Sequence, residues 1–294
     1  MRFSIWPGPH QDFADVLALA LHAEATGWDG VWFADHFLPS DGDRERPTLE
    51  CWTTLAALAA RVPRVTLGSL VSGNTYRHPA LLAKMAAGVD RISGGRLVLG
   101  IGAAWQESEH RAFGFAFPPL RERMDRLEEA CRLLHGLLAG ERVRFAGAHY
   151  VLEDAVLRPP PLQRPLPLLV GGAGRRTLRI AARWAQAWNA WGDPARLRDL
   201  CARLDAECER LGRDPATLRR TAVAVFALGE APPAARVRGM PVVAGSPERL
   251  REAVAAYRAA GVDELVVPDF YFGGAARARE ALDRLAGEVV AAFR

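Results

Sequence analysis

The side chains best placed for chemistry are an acid and an imidazole in succession, Asp35 and His36, within the stretch GVWFADHFLPS. Val31 to Ala34 form an apolar run of the kind a buried strand requires, so the pair stands where that strand runs out. An imidazole exchanges a proton near neutral pH, and at the rim of a pocket it can act as general acid or base. Asp35 either orients that ring or caps the following turn; the sequence leaves both open. Three other strand ends carry small residues. In LVSGNTYRHP, Val71 is followed by Ser72, Gly73, Asn74 and Thr75, and Gly73 lets a ligand approach the backbone. In GIGAAWQESEH, Gly100, Gly102, Ala103 and Ala104 make a low wall for a flat ring, with Trp105 and Gln106 projecting at the mouth. In VGGAGRRT, Gly171, Gly172, Ala173 and Gly174 precede a helix starting near Arg175. Exposed amides at a helix start bind phosphate, and Arg175 and Arg176 add positive charge. The window Gly172 to Thr177 ends in Thr and so fails the dinucleotide pattern G-x-G-x-x-G.

The elements that must position these groups follow a regular alternation. Apolar runs suited to buried strands occur at RFSIW, GVWFAD, VTLGSLV, RLVLGIG, LPLLVGGAG, AQAWNAW, RTAVAVFAL and DELVVP. Stretches of helical period lie between them. FADVLALALHAEATG ends at Gly27, Pro79 starts PALLAKMAAGVDRIS, and Ser246-Pro247-Glu248 reads as N-cap, N1 proline and early acid. Residues 275 to 293 form the last helix. Glu107 and Glu109 fall in the loop after the fourth strand, where a spacing of two projects them differently. Residues 229 to 239 and the following MPVVAG are less regular. Residues 141 to 166 break the pattern: RVRFAGAHYVLED alternates as a β-hairpin and RPPPLQRPLP is a stiff connector, together an insertion. EATGWDGVWFAD and RAAGVDELVVPD share a helix tail, a Gly, an Asp two residues later and an Asp eight residues after the Gly.

Strands in such alternation are parallel and buried on both faces. Eight strand–helix pairs without an early nucleotide fingerprint predict one domain over residues 1–294, a (β/α)8 TIM barrel with a β-hairpin insertion; an open doubly wound sheet is the alternative. In a barrel the C-terminal ends of the strands form the reactive mouth, which is where all four motifs fall.

Composition narrows the class. The 38 basic and 34 acidic residues leave a net charge of +4, spread along the chain and not clustered as nucleic-acid binding requires. No apolar stretch approaches the ~18 residues of a membrane span, and the N-terminus shows no secretory pattern. The four cysteines lack C-x-x-C spacing and read as free thiols. A cytoplasmic protein is expected. There is no metal motif, no G-x-S-x-G elbow and no carboxylate pair suited to a glycosidase.

In order and spacing, GWDGVWFADHF, LGSLVSGNTYRHPALLAKMAAGVDRISGGRLVLGIGAAWQESEH, RMDRLEE, PLLVGGAG and AQAWN resemble the bacterial luciferase-like monooxygenases, most closely their deazaflavin-dependent oxidoreductase branch, over nearly the whole chain. The resemblance implies coenzyme F420, or alternatively FMN, at the barrel mouth. It implies that Asp35 and His36 lie beside the ring, with Val71, Ser72 and Gly73 at a bulge that in relatives often holds a non-prolyl cis peptide. It further implies phosphate on the loop from Gly171 through Gly172, Ala173 and Gly174 to Arg175, and cofactor or substrate contacts at Trp105 and Gln106. The reaction implied is hydride transfer between the deazaflavin and a small organic substrate, with His36 as general acid or base. A homodimer is expected by the same resemblance. An FMN-dependent monooxygenase would instead need a separate reductase and O₂. A non-catalytic flavin-binding barrel would have no need of a low wall, and a sugar-phosphate enzyme would want charged residues at several strand ends. The substrate would sit among Phe37, Leu38, Trp105, Phe113, Phe115, Phe117, Phe270, Tyr271 and Phe272, unless these only pack a lid.

Overall fold

The computed structural model describes residues 1–233 and 239–294. β1 (Arg2–Trp6) leads into α1 (Phe13–Ala25), and Gly27, left-handed at φ 85°, turns the chain into β2 (Gly30–Phe33). Glu50 starts α2 (Cys51–Arg61) by accepting hydrogen bonds from the Trp52 and Thr53 amides. β3 (Thr66–Ser69) continues beyond a cis Leu70–Val71 peptide as the two-residue β4 (Ser72–Gly73). α3 (Pro79–Ile92) opens at Pro79, where a missing N–H costs nothing. β5 (Leu97–Gly102) is followed by a short α4 (Glu107–Phe113) and the long α5 (Leu120–Leu138). β6 (Val143–Ala146) and β7 (Val151–Ala155) pair as an antiparallel hairpin. Then come β8 (Leu168–Gly171), α6 (Arg175–Trp184), β9 (Ala187–Trp191) and α7 (Pro194–Arg210). β10 (Arg219–Val223), β11 (Val225–Leu228), β12 (Val242–Gly245), α8 (Pro247–Ala259), β13 (Glu264–Pro268) and α9 (Ala275–Glu288) complete the chain.

The main sheet runs β3-β2-β1-β13-β10-β9-β8-β5, and β5 pairs again with β3, so eight parallel strands close into a barrel. The open-sheet alternative is thereby excluded. Closure removes both sheet edges and sends every strand's C-terminal end to one mouth. Between strands and helices lies a continuous apolar core that includes Ile5, Val31, Leu55, Leu99 and Tyr257. Inside the barrel, Trp32, Val98, Leu169, Val223 and Val266 fill the lumen. Below them the buried Glu264 carboxylate accepts from Ser4 Oγ at 2.6 Å and from Trp32 Nε1 at 2.8 Å. The interior is thus a packed plug beneath the C-terminal mouth.

The eight helices expected from periodicity lie where the sequence puts them. RTAVAVFAL, however, is two strands: β10 stays in the barrel, whereas β11 leaves it to pair in parallel with β12, the MPVVAG segment. The irregular stretch at 229–239 falls partly outside the described residues. The hairpin insertion is docked by Glu129 of α5, which accepts from the Ala148, His149 and Tyr150 amides at 2.7, 3.0 and 3.2 Å. No helix of the described residues is long and apolar enough to cross a membrane.

Candidate active site

At the mouth lies a cavity of about 1710 Å³. Asp35, His36, Val71, Ser72, Gly73, Gln106, Gly171, Gly172, Ala173, Gly174 and Arg175, all expected from sequence, line it together. Apolar burial of β2 brings Asp35 to the rim at 3% exposure. There its carboxylate accepts from Arg77 Nη1 at 2.7 Å and Nη2 at 3.1 Å, and from the Gly73 amide at 3.0 Å. Burial pushes the Asp35 carboxyl up, and Arg77 pulls it back. Arg77 also donates to Glu50 at 2.6 Å, so the start of α2 is tied into the same network. Asp35 therefore does not orient the imidazole. It anchors the bulge on which Gly73 sits.

The imidazole is oriented by Glu109. His36 Nδ1 lies 2.9 Å from Glu109 Oε1. A carboxylate only accepts, so Nδ1 carries the proton and neutral His36 keeps an acceptor at Nε2. The other Glu109 oxygen accepts from the Phe37 and Leu38 amides at 2.7 and 3.2 Å, and Tyr76 OH donates to Oε1. Burial acts to raise the Glu109 carboxyl, but the hydrogen bonds from His36, Tyr76 and Phe37 outweigh it and hold it below its ordinary value. Burial, and next the Glu109 carboxylate, push the Tyr76 phenol up, so it stays a donor.

Glu109 sits on α4, a segment expected from sequence to be loop. The helix acts as a clasp between neighbouring strand ends. His110 Nδ1 donates to Gln106 O at 2.7 Å, which leaves Nε2 to accept from Thr75 Oγ1 at 2.6 Å. Gln106 Nε2 donates to Leu38 O at 3.0 Å. Three residues after β5 thus fix the loops after β2 and β4. The signal for them is weak, because a helix of seven residues whose buried side chains are Glu109 and His110 has no apolar stripe.

Glycines leave room for Val71 at two strand ends. A Cβ on Gly102 would stand 2.9 Å from Val71 Cγ2, and one on Gly171 2.9 Å from Val71 Cγ1. The absence of both lets Val71 lie flat between β5 and β8. α6 begins after Gly174 without any side-chain cap, so its first-turn amides are available to an anion. Arg175 is exposed beside them. Arg176 is committed elsewhere, to Asp125 at 2.6 Å and Glu128 at 3.4 Å on α5.

The aromatic residues divide. Leu38, Trp105 and Phe270 line the cavity, and Trp105 meets His36 edge-on at 5.5 Å. Phe37 packs instead on Tyr76, Phe113 and Phe115, and Tyr271 donates to Phe226 O at 2.7 Å. A further acid, Asp269, sits just beyond β13 at 6% exposure and lines the cavity. It accepts from the Gly8 amide at 2.6 Å and Gln11 Nε2 at 2.7 Å, and burial leaves its carboxyl pushed up to about 6.

A (β/α)8 barrel with a glycine-walled mouth, an uncapped late helix and an oriented histidine defines a class of cofactor-binding enzyme folds. Residues 1–238 match the luciferase-like monooxygenase family, and the chain belongs to it. The chain is 32% identical over 230 residues to the F420-dependent hydroxymycolic acid dehydrogenase of Mycobacterium tuberculosis, covering 77% of this chain and 63% of that protein. It is 38% identical over 179 residues to the F420-dependent glucose-6-phosphate dehydrogenase of Kineococcus radiotolerans, covering 60% and 50%. The chain thus spans between half and two thirds of the length of these relatives. The coenzyme F420-dependent tetrahydromethanopterin reductase from Methanopyrus kandleri shares the fold, with a TM-score of 0.83 at 17% identity over 100% of this chain and 99% of that one.

Proposed function

We propose that the chain is an F420-dependent oxidoreductase that transfers hydride between the deazaflavin and a small organic substrate. One observation carries the reading: a buried carboxylate, Glu109, aims His36 into the same cavity that Val71, Gly102 and Gly171 floor and the uncapped start of α6 closes. A floor without protruding side chains suits a flat ring, and the uncapped amides at the start of α6 suit a phosphate, so the residues present fit the cofactor. When bound, F420 supplies the hydride chemistry at ring position C5. Val71 would carry that ring, and Asp35 and Arg77 keep the bulge in place. His36 takes or gives the substrate proton at Nε2, with Nδ1 occupied by Glu109. The two relatives from Mycobacterium and Kineococcus, both F420-dependent dehydrogenases, support the choice of cofactor.

Titration of the purified protein separately with F420 and FMN tests this, followed by quenching of the tryptophans at the mouth. Micromolar F420 affinity with much weaker FMN binding is expected. The reverse preference would overturn the deazaflavin reading in favour of an FMN monooxygenase with a separate reductase. Binding of neither cofactor by folded protein would overturn both.

A further inference from the structure

The cofactor floor comes from three adjacent strands, β3, β5 and β8. Counting around the closed sheet, β13 stands directly opposite β5, with β1 and β10 on its flanks. The strand ends on that far side carry different chemistry. Trp6 ends β1 and Phe270 follows β13; Trp191 ends β9, the strand between that side and β8. Their rings meet: Trp6 and Phe270 edge-on at 5.0 Å, Trp6 and Trp191 tilted at 6.2 Å. All three line the cavity, as does Asp269. The cavity, at about 1710 Å³, exceeds the range of roughly 300–1,000 Å³ that one small ligand fills, so this side remains open beside a cofactor.

We infer that Trp6, Trp191 and Phe270 around Asp269 form the substrate wall, and that it takes an uncharged planar ring compound bearing a hydroxyl or carbonyl group, an aryl carbinol or its ketone. This inference rests on the proposed function. A wall of three contiguous rings favours a flat apolar body, which stacks or packs edge-on against them. The wall's polar groups match one oxygen function. Each oxygen of Asp269 accepts one hydrogen bond, from Gly8 or Gln11, and retains a lone pair for a substrate hydroxyl. The indole N–H of Trp6, on a side chain 6% exposed, has no acceptor among the described residues. A phosphate on this wall would face the buried Asp269 carboxylate and be repelled. The guanidiniums that line the cavity nearby belong to no strand end: Arg46 pairs with Asp41 in the loop after β2, and Arg196 is exposed on the first turn of α7.

Calorimetric titration with a naphthyl ethanol and with glucose 6-phosphate tests the wall, on both cofactor-free and F420-loaded protein. The naphthyl ethanol should bind both forms, at least about tenfold tighter than the sugar phosphate. Trp191→Ala removes a ring that is 39% exposed, so the core stays intact. That variant should weaken naphthyl binding about tenfold or more and change F420 affinity less than about twofold. Tighter binding of glucose 6-phosphate, an unchanged naphthyl affinity in Trp191→Ala, or no naphthyl binding by protein that binds F420 would each overturn the inference. Failure to bind F420 counts against the cofactor reading alone, because titration of the cofactor-free protein reports on the wall by itself.

Discussion

Glu109 and His36, 73 residues apart in the chain, are joined by a 2.9 Å hydrogen bond between the ring Nδ1 and a carboxylate with no Lys or Arg partner among the described residues. The carboxylate is fully buried and satisfied by neutral donors: two backbone amides, a phenol and the imidazole. Such an acid is ready to stabilise positive charge appearing on the ring when Nε2 takes a proton. The oriented histidine and its acid form one unit supplied by two strand ends, β2 and β5.

Glu109→Gln should leave the fold in place and lower turnover. The new amide NH₂ must face a donor in either orientation, the His36 and Tyr76 side or the Phe37 and Leu38 amides, at a cost of about 1–3 kcal/mol. We expect kcat to fall roughly ten- to a hundredfold with little change in F420 affinity. Ring ¹⁵N chemical shifts should show His36 losing its fixed Nδ1-protonated tautomer, a change that a merely structural residue would not cause. The folded carboxyl lies below its ordinary value of 4.5, so it contributes stability above that pH and loses it as pH falls through the folded value. Accordingly the stability difference between wild type and variant should shrink in acid.

His36→Ala should cut kcat by roughly 10²–10⁴-fold, the range a positioned acid or base contributes. Cofactor affinity should hold, since the floor and the glycine loop come from other strands. Turnover followed by the deazaflavin absorbance decides this; an unchanged kcat would remove His36 from the chemistry.

Gly171→Ala tests the floor. The added methyl would stand 2.9 Å and 3.1 Å from the two methyls of Val71, closer than such carbons approach. Val71 must then move toward the ring site. F420 affinity should weaken about tenfold, with a smaller loss of stability than a core cavity would cause. Equal F420 affinity in the variant would mean that the ring lies elsewhere.

The eight barrel strands and their helices were readable because continuous apolar runs and helical periods are properties of adjacent residues. α4 was not, since its buried side chains are polar and their partners lie on other strand ends. The split of RTAVAVFAL was equally hidden: nothing in its uniform apolar run marks where β11 leaves the barrel. The repeated junction held more than it showed. Gly27 and Gly261 both take positive φ, at 85° and 89°. Asp29 and Asp263 each accept a neighbouring strand's amide, that of Phe3 or of Arg220, at 2.8 Å. Eight residues after each glycine, Asp35 and Asp269 both accept a backbone amide at the mouth, from Gly73 and Gly8. The echo therefore marked Asp269 as a mouth residue, although only His36 and Asp35 stood out as chemistry.

The two acids differ in their partners, and that difference can be measured. Asp35 has Arg77; Asp269 is held by the Gly8 amide and Gln11, and burial leaves its carboxyl at about 6 against an ordinary 3.8. The folded state thus binds a proton that the unfolded state has released between those values. A raised folded value gives stability that is complete below pH 3.8 and is lost as pH rises through about 6. Asp269→Asn removes that titration. Denaturant unfolding of both proteins from pH 4 to pH 8 should show the wild type losing on the order of 2–3 kcal/mol relative to the variant, mostly below pH 7. A difference that stays flat across this range would mean that Asp269 is already ionised at little cost, with solvent reaching it through the mouth.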